Sequence, residues 1–223
     1  MNCELIIFDC DGVLVDSEVI STRTLVSALE TEGVFIDADY VTRHFLGRSY
    51  RVAVERVKAD FDITLPDGFE SYYRSRLIDA FRTELQVMPY VGEIIERLAI
   101  PYCLATSSSP ERLKHSLAIT GLAPLFEGRS ITASEVKRGK PAPDIFLHAA
   151  ARFGVEPSKC LVIEDSSVGI EGGLAAGMTV WRFTGGSHLR DADNTAELAV
   201  KPHQVLKSFA EFFALAPDLE KRT

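Results

Sequence analysis

Apolar residues follow two rhythms along this chain. Leu5-Ile6-Ile7-Phe8 is apolar at every position, as in a strand covered on both faces. Short runs of the same kind recur at 102–106 (YCLAT), 160–165 (CLVIED) and 179–183 (TVWRF), and SIT at 130–132 reads as a shorter strand. Helical stretches lie between them. One opens at Ser-Ser-Ser-Pro-Glu, with Pro110 in its first turn, and runs to Gly121, a suitable C′ residue. A second, 142–154, carries an apolar stripe closed by Gly154, and a third is SVGIEGGLAAG, 167–177. Alternating strands and helices predict an α/β fold, a Rossmann-like parallel sheet with helices on both faces.

Residues 16 to about 86 behave differently. They are charged, contain no buried strand pattern, and read as helices near 16–32, 38–46, 49–60 and 68–84, with breaks at Gly33, Gly47 and Pro66. About 90 residues, mostly helical, thus separate the first strand from the second. The expected organisation is a core of residues 1–15 and 87–223 interrupted by an all-helical insert, 16–86. At the far end, HQVLKSFAEFFAL (203–215) places Val205, Leu206, Phe209, Phe212 and Phe213 on one helical stripe, expected to pack on the core.

Composition narrows the function classes. The 223 residues are 46% hydrophobic and 25% charged, ordinary for a globular chain of one domain with an insertion. No apolar run reaches the roughly 18 residues of a membrane span. The Met-Asn-Cys-Glu start lacks the features of a signal peptide, so a cytoplasmic protein without a membrane partner is expected. A net charge of −8 argues against a nucleic-acid partner, and an anionic substrate would need local cations. Cys3, Cys10, Cys103 and Cys160 lie in or beside apolar runs with no C-x-x-C pair, as reduced, packed thiols do. The five histidines fall outside the motifs below and are expected on the surface or in the core.

The candidate chemistry gathers where strands end. D-x-D occurs four times, at Asp9/Asp11, Asp37/Asp39, Asp60/Asp62 and Asp191/Asp193, but only the first follows a buried strand. Residues i and i+2 of a strand share a side, so Asp9 and Asp11 are expected close together. Two close carboxylates repel, and either metal binding or proton transfer would justify them. In parallel sheets the binding crevice lies outside the carboxyl ends of the strands. There the second strand brings Thr106-Ser107-Ser108 at a helix start, a ready phosphate cradle, and the fourth brings Glu164-Asp165. KRGKPAPD (137–144) adds Lys140 in a turn. Acidic oxygen ligands without histidine suit magnesium rather than zinc or copper. Gly169, Gly172 and Gly173 in one helix suggest close packing behind Asp165. In the insert, Arg48 and Arg51 of HFLGRSYR (44–51), with Arg74 and Arg76, are candidates to grip an anionic substrate, with a solvated helix face as the alternative.

FDCDGVLVDSE, LATSSS, GKPAPD and VIEDSSVGI resemble, in order, the four motifs of the haloacid dehalogenase superfamily, and the likeness extends over the whole chain. Its phosphatases and β-phosphoglucomutases with a helical cap after the first motif are the most similar branch. The resemblance implies Asp9 as nucleophile, Asp11 as general acid/base, and Thr106, the Ser107 backbone and Lys140 around the phosphoryl group. It implies magnesium on the Asp9 side chain, the Asp11 carbonyl and Asp165, with Glu164 bound directly or through water. The substrate implied is a small phosphorylated metabolite, a sugar or sugar-acid phosphate such as 6-phosphogluconate. Dehalogenases lack an aspartate at the position of Asp11, and a phosphonatase would need a cap lysine, where only Lys58 is present. Mutases of the family carry an arginine at the position of Tyr50 and a histidine at that of Ser21, so hydrolysis is expected rather than transfer. A catalytically silent binding module is the rival from another class. The sequence leaves the oligomeric state open.

Overall fold

A computed structural model describes residues 2–190 and 200–221. Six strands, β1 (Leu5–Phe8), β2 (Tyr102–Thr106), β3 (Ser130–Thr132), β4 (Cys160–Glu164), β5 (Thr179–Phe183) and β6 (Gln204–Leu206), form one sheet. Its order is β3-β2-β1-β4-β5-β6, and every neighbouring pair is parallel. Ile7 stands opposite Cys103 on one side and Val162 on the other. The pleat explains the unbroken apolar runs. Ile6, Phe8, Leu104, Leu161, Ile163, Trp181 and Phe183 belong to one hydrophobic cluster. Leu5, Ile7, Cys103, Ala105, Ile131, Val162 and Val180 belong to a second, on the other face. Both faces are therefore covered, as in a Rossmann-like fold.

The helices are α1 (Glu18–Glu30), α2 (Ala38–His44), α3 (Tyr50–Phe61), α4 (Phe69–Glu84), α5 (Val91–Arg97), α6 (Pro110–Thr120), α7 (Ala123–Phe126), α8 (Asp144–Phe153), α9 (Ser167–Ala175) and α10 (Phe212–Leu215). The first four occupy the long connection between β1 and β2, where the sequence indicates helices. Ile94 and Ile95 of α5, Leu113 and Leu117 of α6, and buried residues of α1 and α4 share the first cluster. Ile145, Phe146, Ala149 and Ala150 of α8 and Ile170 of α9 build the second. Local chemistry sets the helix ends. Ser109 caps α6 by accepting from the Arg112 N–H, and Gly121 and Gly154 close α6 and α8 in the left-handed conformation. A Cβ on Gly169 would collide with the Glu164 carboxylate, so α9 can lie this close to β4 only with glycine there.

One expected element is absent. The stretch 203–215 is not a helix but the edge strand β6, a short 3₁₀ turn at Phe209–Glu211 and the four-residue α10. Backbone pairing of β6 with β5 competes successfully with the helical pattern, and the Ser208 side chain starts a new turn by accepting from Ala210 N–H. Leu206, Phe209, Phe212 and Phe213 are buried all the same, whereas Val205 points to solvent at 41% exposure. The short helix α5 lacks a long periodic signal and is not indicated by the sequence.

Candidate active site

The strand order reverses between β1 and β4, and parallel sheets open their binding crevice at such a point. Asp9 follows β1 directly, its N–H donating to the Ile163 carbonyl at 2.9 Å. Thr106 ends β2, Glu164 ends β4, and Asp165 comes next. All four are buried. The sheet thus carries three carboxylates and a hydroxyl to one edge on rigid backbone.

Lys140 arrives from the loop before α8 with its side chain only 1% exposed. Its Nζ donates to Asp9 Oδ1 at 2.5 Å, Glu164 Oε1 at 2.8 Å and the Ala105 carbonyl at 3.2 Å. Burial alone would lower the ammonium's pKa, but the Asp9 and Glu164 carboxylates outweigh it and raise it above the ordinary value. Lys140 is therefore a fixed cation. Burial pushes the Asp9 carboxyl up, opposed by Lys140 and assisted by Glu164 and Asp165. Burial and then Glu164 push Asp165 up as well. One ammonium does not balance three carboxylates in a dry pocket.

A divalent cation fits that surplus. Asp9, Glu164 and Asp165 each offer a carboxylate oxygen, all within 4.8 Å of one another. Asp165 Oδ2 is buried and accepts no hydrogen bond, although His188 Nε2 stands 3.0 Å away, so it can still turn a lone pair to a cation. Glu164 is more committed: Oε1 accepts from Lys140, and Oε2 accepts from the Ser166 N–H and hydroxyl. The donor set is all oxygen, as magnesium prefers.

Asp11 belongs to a separate cluster. The pleat that would bring it beside Asp9 stops at Phe8, and the chain turns so that Gly12 N–H donates to the Val15 carbonyl. Asp11 Oδ1 accepts from Ser17 Oγ and Arg112 Nη2, both at 2.6 Å, and Oδ2 accepts from Ser108 Oγ at 2.6 Å. Burial alone would raise this carboxyl, but Arg112 and the two hydroxyls hold it below the ordinary range. The paired carboxylates do not share one cation; each has its own.

The cradle after β2 is also in place. Thr106 Oγ1 accepts from Ser108 N–H at 3.0 Å, and Ser107 Oγ donates to the Gly47 carbonyl at 2.8 Å. The second bond ties the insert to the sheet edge. Gly47 has φ +72° and would drive a Cβ into Ser166, so glycine alone suits that contact. A cavity of about 1000 Å³ lies above the edge, lined by Asp9, Asp11, Thr106, Ser107 and Lys140 and by Arg48, Arg51 and Arg74 of the insert. The arginines differ greatly. Arg51 is 86% exposed and pairs with Glu55, whereas Arg48 is half-buried. Arg74 donates to Ser109 Oγ at 2.5 Å, pairs with Glu70 and lies over the Tyr50 ring. Arg76 is exposed and bonds Tyr72.

Two residues at this edge carry no signal in the sequence. Arg112 lies in α6, where PERLKH looks like a solvated face, yet it is 17% exposed and bonded to Asp11. His188 sets Nε2 3.0 Å from Asp165 Oδ2, against the expectation that every histidine stands clear of the site. The other D-x-D pairs behave as solvated carboxylates: Asp37 caps α2 and Asp60 bonds Tyr40 and Arg56. Asp191 and Asp193 lie outside the described residues. All four cysteines are free thiols, three of them buried. Among the described residues no helix is long and apolar enough to cross a membrane.

Known proteins resemble this chain. The family model of haloacid dehalogenase-like hydrolases matches residues 3–177. The 6-phosphogluconate phosphatase of Escherichia coli is 29% identical over 186 residues, covering 83% of this chain and 84% of that protein. A Drosophila melanogaster protein described as "Probable pseudouridine-5'-phosphatase" is 33% identical over 216 residues, covering 92% of this chain and 90% of its own. A haloacid dehalogenase-like protein from Agrobacterium tumefaciens superposes with a TM-score of 0.76 at 34% identity, covering 97% of this chain and 98% of its own.

Proposed function

The chain belongs to the haloacid dehalogenase-like hydrolase family, and on that premise we propose that it is a magnesium-dependent phosphatase of a small phosphorylated metabolite. The observation that carries the reading is Asp9 at the strand-order reversal, with one oxygen held by the buried Lys140 and with the Glu164 and Asp165 carboxylates within 4.8 Å. The related phosphatases support hydrolysis of a phosphoric monoester.

In this reading Asp11, which this structure holds ionised, first takes a proton from solvent. Asp9 then attacks the phosphorus, the P–O bond to the leaving group breaks, and Asp11 gives that oxygen its proton. Water then attacks the phosphoryl group on Asp9 and yields its proton to Asp11, and the Asp9 carboxylate is released with inorganic phosphate. Thr106 and the Ser107 backbone hold phosphoryl oxygens, and Lys140 offsets their charge. Magnesium, held by Asp9, the Asp11 carbonyl and Asp165, would supply the remaining positive charge. Both oxygens of Glu164 are engaged, so this residue fixes Lys140 and would meet the metal through water. Residues 16–86 act as the cap that reads the leaving group. The two curated relatives differ in that group by name, a sugar acid against a nucleoside, which fits a leaving group read outside the motifs. Arginines lining the cavity favour an acidic sugar phosphate such as 6-phosphogluconate. Four free thiols suit a reducing compartment such as the cytoplasm.

A screen of phosphate release over phosphorylated metabolites, with and without chelator, tests the reading. Asp9→Asn should lose at least about a thousandfold in kcat while keeping its fold by circular dichroism. Full activity in a protein shown metal-free by elemental analysis would remove magnesium from the scheme.

A further inference from the structure

Arg112 is joined to more of the site than any motif residue of its loop. Its Nη2 donates to Asp11 Oδ1 at 2.6 Å and to Ser21 Oγ, on α1 of the insert, at 3.0 Å. Its guanidinium lies 5.5 Å from the centre of the Phe81 ring, on α4 of the insert. Ser17 and Ser108 complete the ring of donors around Asp11. Two separate segments, the start of α1 and the loop with the first turn of α6, therefore fix one carboxylate, and the only cation among those donors is Arg112. A hydroxyl rotates to suit its acceptor, whereas a buried guanidinium braced by an aromatic ring does not. Of the three donors, Arg112 alone also contacts the insert beyond its first turn.

We propose that Arg112 is the positioning residue for Asp11: it aims the carboxylate at the leaving-group oxygen and ties that aim to the seating of α1 and α4. This rests on the phosphatase reading, in which Asp11 protonates the leaving group. The bonds made are Asp9 O–P and O–H on the departing oxygen, and the bonds broken are P–O and the O–H of Asp11, which has taken that proton from solvent beforehand. Arg112 neither touches the phosphoryl group nor exchanges a proton.

Leaving-group dependence separates aim from general damage. An alkoxide departs only with a proton, whereas 4-nitrophenolate departs without one, and kcat/KM reports the step in which either departs. Arg112→Ala should lower kcat/KM for glucose 6-phosphate by about a hundredfold, within the usual range of general acid catalysis, and that for 4-nitrophenyl phosphate by less than about fivefold. Added guanidinium ion should restore part of the loss on glucose 6-phosphate. Arg112→Lys keeps a buried cation and should fold where the alanine variant does not; it should show the same inequality, smaller in size. Asp11→Asn is the control. If it discriminates between the two substrates and neither Arg112 variant does, Arg112 has no positioning role and the Asp11 assignment survives. If Asp11→Asn itself fails to discriminate, the general-acid reading falls, and this inference with it.

Discussion

The carboxyl edge of the sheet and the helical insert both line the cavity with charged side chains, but water reaches them differently. At the edge, Lys140, Asp9 and Glu164 are almost wholly buried and locked to one another. On the insert, Arg51 with Glu55 and Arg82 with Asp79 are solvated pairs along a helix. The same Coulomb attraction is many times stronger in the dry setting, and losing one partner there leaves a stranded charge. On the wet surface it is screened and nearly neutral in stability. Charge chemistry should therefore concentrate at the edge, with the insert contributing shape and a few cations turned inward. Arg74 is the intermediate case, an insert cation drawn onto Ser109 and the Tyr50 ring.

Replacing Lys140 tests the dry side of this contrast most severely. Lys140→Met removes the ammonium and leaves Asp9 and Glu164 without their shared donor. The expected cost is about 3 kcal/mol of stability at neutral pH, along with nearly complete loss of turnover. Pairing raises the ammonium's pKa above its ordinary 10.5, so the contribution is fully present below that value. It is lost only as pH rises through the folded-state pKa. Urea melts at pH 7 should show the full difference, and added magnesium should recover part of it by taking up the surplus negative charge. A variant as stable as the parent at pH 7 would mean that the carboxylates protonate at little cost and that the dry cluster is not held by charge.

A second substitution probes the seam between the two regions. Gly47→Ala would place a Cβ 2.3 Å from Ser166 Oγ, on a backbone with φ +72°. The insert loop must then lift from the sheet edge and weaken the bond from Ser107 to the Gly47 carbonyl. We expect a loss of about 1 kcal/mol in stability from the left-handed backbone, in line with glycine's advantage there. Turnover should fall by about tenfold, because the cavity is no longer closed at that corner. Unchanged kinetics with lowered stability would assign Gly47 to folding alone.

This division also governs how much the sequence discloses. Asp9, Thr106, Glu164 and Asp165 are legible because each sits at or beside the end of a buried run, and the sheet delivers such ends to one edge. Lys140 lies in a loop and is legible only from its turn and the motif it resembles. Arg112 is not legible, because its environment is made by Asp11, a hundred positions earlier, and by Ser21 and Phe81 of the insert. His188 is hidden for the same reason, its neighbour Asp165 lying on another strand end. The chain beyond Pro202 misleads in a different way. Phenylalanines at 209, 212 and 213 fit a helical stripe, but burial can be met equally by an edge strand and a turn, and pairing with β5 decides for the strand. Local patterns thus announce which residues are buried more faithfully than which hydrogen bonds they make.

The smallest effect is expected on the wet side, and it sharpens the contrast because Arg51 and Arg74 both line the cavity. Arg51 and Arg74 each pair with a glutamate, but Arg51 is 86% exposed, so Arg51→Ala should change kcat/KM by less than about twofold on any substrate. Arg74, at 24% exposure, presents a partly desolvated guanidinium, and Arg48 lies half-buried on the loop carrying Gly47. If the insert reads an anionic leaving group, Arg48→Ala and Arg74→Ala should each raise KM for 6-phosphogluconate by about tenfold and leave 4-nitrophenyl phosphate within about twofold. Burial orders the three residues here, because a charge still hydrated by water gains little from a second anion, whereas one already stripped of water gains much. A large and substrate-selective effect of Arg51→Ala would break that ordering, since the exposed cation would have to become buried when substrate binds. The loop at 45–49 would then close further over the bound substrate than this structure shows, and Arg51, rather than Arg74, would be the cation that meets it.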